Sequence, residues 1–325
     1  MKEKIKVAFI YNKLNIFLTG KHFDNTYYHF FMKALPRNSC LEVTNFPTED
    51  KFDASVLKDK FDIILLWQNY TDGMPYEITK IDDLDIPVIA RIGDPPDSKK
   101  SIPFHKKWKI DYYFHFFPES YVSELYPSNY KYKNIIYGLE PSLYQNLKPF
   151  NKRIKNKILN SGAVGNTKIF FRIINQFRSR KKYALDGYYL RTKCNKLPYV
   201  DYTSTLDHVY VNDKYSQLLE KYQTAIAASS DAPTVKYWEI PAAGCLTFME
   251  MTDFNRGNEI LGFVDGESAI FINEKNYQEK FQEYLSDTEN PKWEKIACKG
   301  RKFAMEYCNN DKGVSSLVEL MRSLL

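Results

Sequence analysis

Apolar residues in this chain gather in short unbroken runs with polar stretches between them. In the first half the runs are Lys6–Tyr11, Leu41–Thr44, Asp62–Trp67, Pro87–Arg91 and Asp111–Phe116. Continuous rather than alternating apolar character marks strands buried on both faces, as in a parallel sheet covered by helices. A helix is expected from about Asn25 to Leu35, where Pro36 ends it, and a polar segment closes at residues 56–60. After a basic stretch at residues 145–156 the pattern restarts with a strand at Lys157–Asn160 and the loop SGAVGNT, residues 161–167. A helix follows, with Ile169, Phe170, Ile173, Ile174 and Phe177 on one face. Further strands are expected at Thr224–Ala227, Cys245–Met249 and Ala269–Ile272, and helices at about Tyr277–Leu285, Trp293–Tyr307 and Val314–Leu325.

This order predicts an α/β protein of two doubly wound domains, residues 1–147 and 148–325, with the last helix free to cross back onto the first domain. A chain of 325 residues agrees with two cores. Ligands of open parallel sheets bind beyond the carboxyl ends of the strands, so chemistry is expected in a cleft between the two halves.

Composition narrows the class. With 44% hydrophobic and 26% charged residues the chain is ordinary for a globular protein and unlike a disordered one. No apolar run nears the roughly 20 residues of a membrane span, and the start MKEKIKVAFIYNK lacks a signal-peptide core. The cytoplasm is the expected location. Five scattered cysteines without a CxxC pair suit reduced thiols, and neither a disulfide framework nor a structural metal is expected. The net charge of +6 is modest, but basic residues cluster at 105–109, 148–157 and 178–182. Solvated faces, phosphate-bearing ligands, anionic lipid at an inner membrane face and nucleic acid are all open to such runs.

The stretch SDAPTVKYWEIPAAG, residues 230–244, carries an acid before a short helix, a second acid eight positions later, and a proline that costs roughly 3 kcal/mol inside a regular helix. Pro233 and Thr234 suit the start of this helix and Gly244 its end. At helical rise throughout, Asp231 and Glu239 stand roughly 12 Å apart, about the reach of a nucleoside diphosphate sugar from ribose to sugar ring. Two carboxylates so placed are able to accept from ribose and sugar hydroxyls, with Lys236 toward the diphosphate; a solvated helix face explains the same acids.

The loop SGAVGNT matches neither GxGxxG nor the P-loop. Its Gly162 and Gly165 allow close backbone approach, Asn166 or Thr167 suits a cap, and Lys168 and Arg172 lie one turn apart on the following helix, which together suit an anion or an ordinary strand-to-helix turn. In the first half, Asp94 follows the strand ending at Arg91 and either activates an acceptor hydroxyl or starts a turn before Pro95. His22 with Asp24 is a similar pair, and His115 reads as packed.

The segments KYWEIPAAGCLTFME, GFVDGESAIFIN and KIACKGRKFAMEYC resemble the C-terminal domain of the GT-B glycosyltransferases of the group 1 type, and YGLEPSLY (137–144) resembles the segment that closes their first domain. The resemblance spans about residues 130–325 and reaches the first half only in outline. It implies two Rossmann-like domains facing across a cleft, the second holding a nucleotide-sugar donor and the first selecting an acceptor, with retention the expected outcome. Asp231 and Glu239 fall on the family's two acidic positions, the first being Glu in most retaining members.

The expected donor site is therefore Gly162, Gly165, Asn166, Lys168, Arg172, Thr234, Lys236 and Glu239, with Asp94, His22 and Asp231 as candidate catalytic residues. No metal and no cofactor beyond the substrate are expected, because Lys236, Arg172 and loop amides are placed to neutralise the leaving diphosphate. The acceptor is a glycan, a lipid-linked group or a small molecule, with peripheral contact at an anionic membrane open to it and no nucleic acid expected. The rival readings are a nucleotide-sugar binder or epimerase of the same fold, and a basic nucleic-acid-binding protein.

Overall fold

A computed structural model describes residues 3–13, 27–71, 73–93, 98–165, 188–203, 212–229 and 231–325. The chain divides into two compact units, residues 1–140 with 309–325, and residues 141–308.

The first unit contains β1 (Ile5–Asn12), α1 (Tyr27–Ala34), β2 (Leu41–Thr48), β3 (Lys51–Asp53), β4 (Ile63–Leu66), β5 (Glu77–Thr79) and β6 (Val88–Arg91). It continues with α2 (Ser98–Lys107), β7 (Tyr112–His115), α3 (Glu119–Ser123) and β8 (Tyr132–Asn134). Six strands form one parallel sheet in the order β2-β1-β4-β6-β7-β8, with β3 and β5 paired separately. All four residues of β4 and of β6 are buried, as unbroken apolar strands between two helical layers should be. His115 is fully buried and stacked on Phe117 with ring centroids 3.9 Å apart, so burial, then the nearby Arg91, holds its imidazole well below the usual range.

The second unit contains β9 (Ile154–Ser161), α4 (Tyr189–Cys194), β10 (Val200–Thr203), α5 (Tyr215–Leu219), β11 (Tyr222–Ala227), α6 (Lys236–Ala242) and β12 (Leu246–Glu250). Then come α7 (Gly257–Ile260), β13 (Ile270–Ile272), α8 (Tyr277–Ser286) and α9 (Pro291–Tyr307). Its sheet, β10-β9-β11-β12-β13, is parallel throughout. Counted along the chain, the first sheet runs 2-1-3-4-5-6 and the second 2-1-3-4-5, the doubly wound order whose topological switch lies between the first and third strands. In the second unit that point is between β9 and β11.

The division falls at Pro141, seven residues before the boundary expected from the sequence. The turn Pro141–Tyr144 packs within the second unit, where Arg301 on α9 donates to the Tyr144 carbonyl at 2.8 Å. The last helix, α10 (Asn310–Arg322), belongs to the first unit. Its first residue, buried Asn310, accepts from the Gly138 amide at 2.7 Å, and its apolar face lies on α1.

Pro241 is housed by two features. It is the penultimate residue of α6, a helix of 7 residues that stops where Gly244 turns at φ +74°. Pro241 is also buried against α9 at Gly300, where an added Cβ would stand 3.5 Å from the proline and 2.3 Å from the Ser268 carbonyl oxygen. Apolar burial there offsets the lost amide donor.

Candidate functional site

The carboxyl ends of β9 and β11 carry a group of charged side chains. β9 ends at Ser161 and the chain turns at Gly162 with φ +107°, a conformation that favours glycine. Arg191, on α4 and 1% exposed, donates from Nη1 to the Ala163 carbonyl at 2.9 Å and from Nη2 to the Ala228 carbonyl. It thereby ties together the segments that leave the two strands at the switch point. Asn160 helps to hold it, donating to the Arg191 carbonyl at 2.9 Å, and the Tyr188 ring lies 4.4 Å from the guanidinium carbon. The Arg191 Nε has no hydrogen-bond partner among the described residues.

Lys236 opens α6 and reaches the same place. Its ammonium donates one long bond to Ser161 Oγ at 3.4 Å and lies 4.8 Å from the centre of the Tyr215 ring, whose hydroxyl is 2.6 Å from Ser161 Oγ. A Cβ placed on Gly162 would stand 2.8 Å from Arg191 Nη1 and 2.9 Å from Lys236 Nζ. Two cations thus converge on the space that the missing side chain leaves. Burial, then repulsion from Arg191, lowers the Lys236 pKa, and Glu239 one turn along α6 acts against both. An anion beside Gly162 would relieve that repulsion.

Glu239 is half-buried. Burial raises its carboxyl pKa while Lys236 and the Tyr144 hydroxyl, which donates to Oε1 at 3.1 Å, oppose the rise. Oε2 accepts no hydrogen bond among the described residues.

Beyond this group, at the end of β12, Glu250 is 5% exposed and its Oε2 has no partner among the described residues. Burial pushes its pKa up to about 7 against the Ser229 amide and Arg191, and Glu274 and Asp231 add to the rise. The loop that follows is organised by buried Asn255, which donates to the Ser229 and Glu250 carbonyls at 3.1 and 2.7 Å and accepts from the Thr252 amide at 3.1 Å.

A raised carboxyl pKa means that the folded state holds this proton more tightly than the unfolded chain. Its penalty is absent below the unfolded value of about 4.3 and grows to full size as pH passes about 7. Glu250→Gln removes the titration. Its melting temperature relative to wild type should therefore rise between pH 5 and pH 8, by the equivalent of about 1 to 3 kcal/mol. A difference that stays constant over that range would show that Glu250 titrates normally.

The sequence-derived site residues separate into three groups. Gly162, Lys236 and Glu239 come together as described. Gly165 and Gly162 do not offer amides to a ligand: the Gly162 amide donates to the Thr203 carbonyl at 3.0 Å and the Gly165 amide to Thr192 Oγ1 at 2.8 Å. Both donors are spent inside the fold, and Gly162 contributes room instead. Thr234 sits just before α6 with Oγ1 buried and unpartnered among the described residues. Asp231 also precedes α6, so helical rise does not span it and Glu239; its charge adds to the rise of the Glu250 pKa. Asn166, Lys168, Arg172, Asp94 and His22 lie outside the described residues.

Arg191, Tyr144, Tyr215 and Glu250 were not visible as site residues. Arg191 lies in YLRTKC, where nothing distinguishes it from its basic neighbours until α4 turns it inward.

Solved structures that resemble the whole chain include these three. Sucrose-phosphate synthase (tll1590) from Thermosynechococcus elongatus has a TM-score of 0.59 at 10% identity, covering 99% of each chain. Alr3699/HepE from Anabaena, solved with UDP-glucose, has a TM-score of 0.56 at 12% identity over 98% of this chain and 100% of its own. An α-glucosyltransferase solved with UDP-glucose and DNA containing an abasic site has a TM-score of 0.56 at 9% identity, covering 98% and 99%. No protein-family model matches the chain, and no curated protein matches it in sequence. The two parallel sheets and these likenesses give the fold: two Rossmann-like domains of the GT-B type.

Proposed function

We propose that this protein is a glycosyltransferase that moves a sugar from a nucleoside diphosphate donor to an acceptor hydroxyl. The observation that carries the reading is the convergence of Arg191 and Lys236 on the space beside Gly162, at the switch point of the second sheet. Two cations that repel each other before ligand arrives suit a diphosphate, whose charge grows as the glycosidic bond breaks. In this reading they do the work that a divalent ion does elsewhere, Glu239 accepts from ribose hydroxyls, and Asp231 faces the sugar. Transfer retains the anomeric configuration and needs no metal.

Asp94 or His22 orients the acceptor, which is a glycan, a lipid-linked group or a small molecule. The basic runs at 105–109 and 148–157 suit peripheral contact with an anionic membrane from the cytoplasm.

The test is a thermal-shift screen over nucleoside diphosphates and their sugars, followed by donor hydrolysis with and without a chelator. A ligand at 100 times its Kd adds about 2.7 kcal/mol of stability. Release of free sugar and nucleoside diphosphate, unchanged by chelation, is the expected result. Binding without release would leave a nucleotide-sugar binder. Salt-sensitive affinity for polynucleotides, with no response to any nucleotide sugar, would favour the nucleic-acid reading.

A further inference from the structure

We infer that Tyr144 is a positioning residue of the donor site, one that holds the Glu239 carboxylate by one oxygen and presents the other to the ribose. The inference rests on the reading that Glu239 takes the ribose hydroxyls. Three observations carry it. The Tyr144 hydroxyl donates to Oε1 at 3.1 Å, and Oε2 is left without a donor among the described residues. Tyr144 is itself fastened, 2% exposed, at the end of the turn Pro141–Tyr144 with its carbonyl held by Arg301 on α9. Finally, α6 brings Glu239 to this hydroxyl from a position 95 residues further along the chain, so the pairing is made by the tertiary fold and not by a local turn.

A carboxylate on a stem of two methylenes has three rotatable bonds and takes many orientations unless something holds it. A phenol bond to one oxygen restricts the rotation of the group and leaves the other oxygen available, which lowers the ordering cost when a diol binds. The same bond favours the ionised form, the form that accepts from two hydroxyls. The groups facing Glu239 are Lys236 on its own helix, Tyr144 from the turn and Tyr215 from α5, with Arg191 beyond Lys236 and Cys245 behind the two tyrosines. Of these only Tyr144 donates a hydrogen bond to the carboxylate among the described residues.

Tyr144→Phe keeps the buried ring and removes one O–H. The experiment is calorimetry on wild type and variant at pH 6 and pH 8. Its ligands are the best-bound of uridine, cytidine, adenosine and guanosine diphosphate, the 2′,3′-dideoxy form of that nucleotide, and inorganic pyrophosphate.

The variant should bind the diphosphate about five- to tenfold more weakly. It should bind the dideoxy form and pyrophosphate as wild type does. The loss should be greater at pH 6 than at pH 8, because without the phenol the carboxyl holds its proton to higher pH. Equal losses for the ribose and dideoxy ligands would mean a merely structural tyrosine and would overturn the inference, as would no loss at either pH. If wild type binds pyrophosphate but loses nothing on removal of the ribose hydroxyls, the assignment of Glu239 fails first. If wild type binds none of the nucleotides, the donor site itself is wrong.

Discussion

Lys236→Ala should lower turnover about 100- to 1000-fold, the usual effect of removing one preorganised donor from a developing negative charge. Lys236 is the more informative of the two cations. Arg191 also ties Ala163 to Ala228, so its removal would disturb both strand ends, whereas Lys236 makes only one long hydrogen bond to the protein among the described residues. Its removal relieves the repulsion with Arg191 but also takes a counter-charge from Glu239, so a melting curve of the variant accompanies the kinetics.

A second readout separates catalysis from folding. Because Lys236 titrates below its ordinary value, a bound diphosphate should pull its pKa back up, and binding at pH 8 should take up protons. Calorimetry in buffers of different ionisation enthalpy measures that uptake, which Lys236→Ala should reduce. Wild-type turnover in the variant, or uptake undiminished without Lys236, would remove this residue from the site.

Glu239→Ala should weaken nucleoside diphosphate binding roughly 10- to 150-fold, the loss of one or more charge-assisted hydrogen bonds worth about 1.5 to 3 kcal/mol. Pyrophosphate supplies the contrast. It lacks a ribose, so its affinity should hold or improve once a negative charge near Lys236 is gone. Asp231→Asn should behave in the opposite way, leaving the diphosphate bound and reducing affinity for the intact sugar donor, or its turnover. Titration of both variants with diphosphate, donor and pyrophosphate makes the comparison. Glu239→Ala binding the diphosphate like wild type would mean that the acids of this segment only solvate the fold.

The strands were legible because their cause is local. Runs such as Ile63–Leu66 and Val88–Arg91 have no polar alternation, and only a sheet covered on both sides buries them. Several short elements went unread, two of them for lack of such a signal: β8 is the polar tripeptide Tyr132–Asn134 at a sheet edge, and α2 is a lysine-rich segment with Pro103 inside it. Gly162, Lys236 and Glu239 were legible as candidates because they stand at a strand end and on a short helix with an unusual proline.

The sequence by itself determined that this chain makes two parallel α/β sheets, and it marked the segment that carries Lys236 and Glu239, since burial periodicity and helix signals act over a few residues. Only the tertiary structure decided what that segment meets. Arg191 is a surface-like residue in sequence and a buried clamp in the fold. Tyr144 finds Glu239 across 95 residues, and the Gly162 and Gly165 amides, free in the sequence, are taken by Thr203 and Thr192. Charges and hydrogen bonds act through space, so the partners of a site are set by which chain segments the packed sheets bring to one strand end.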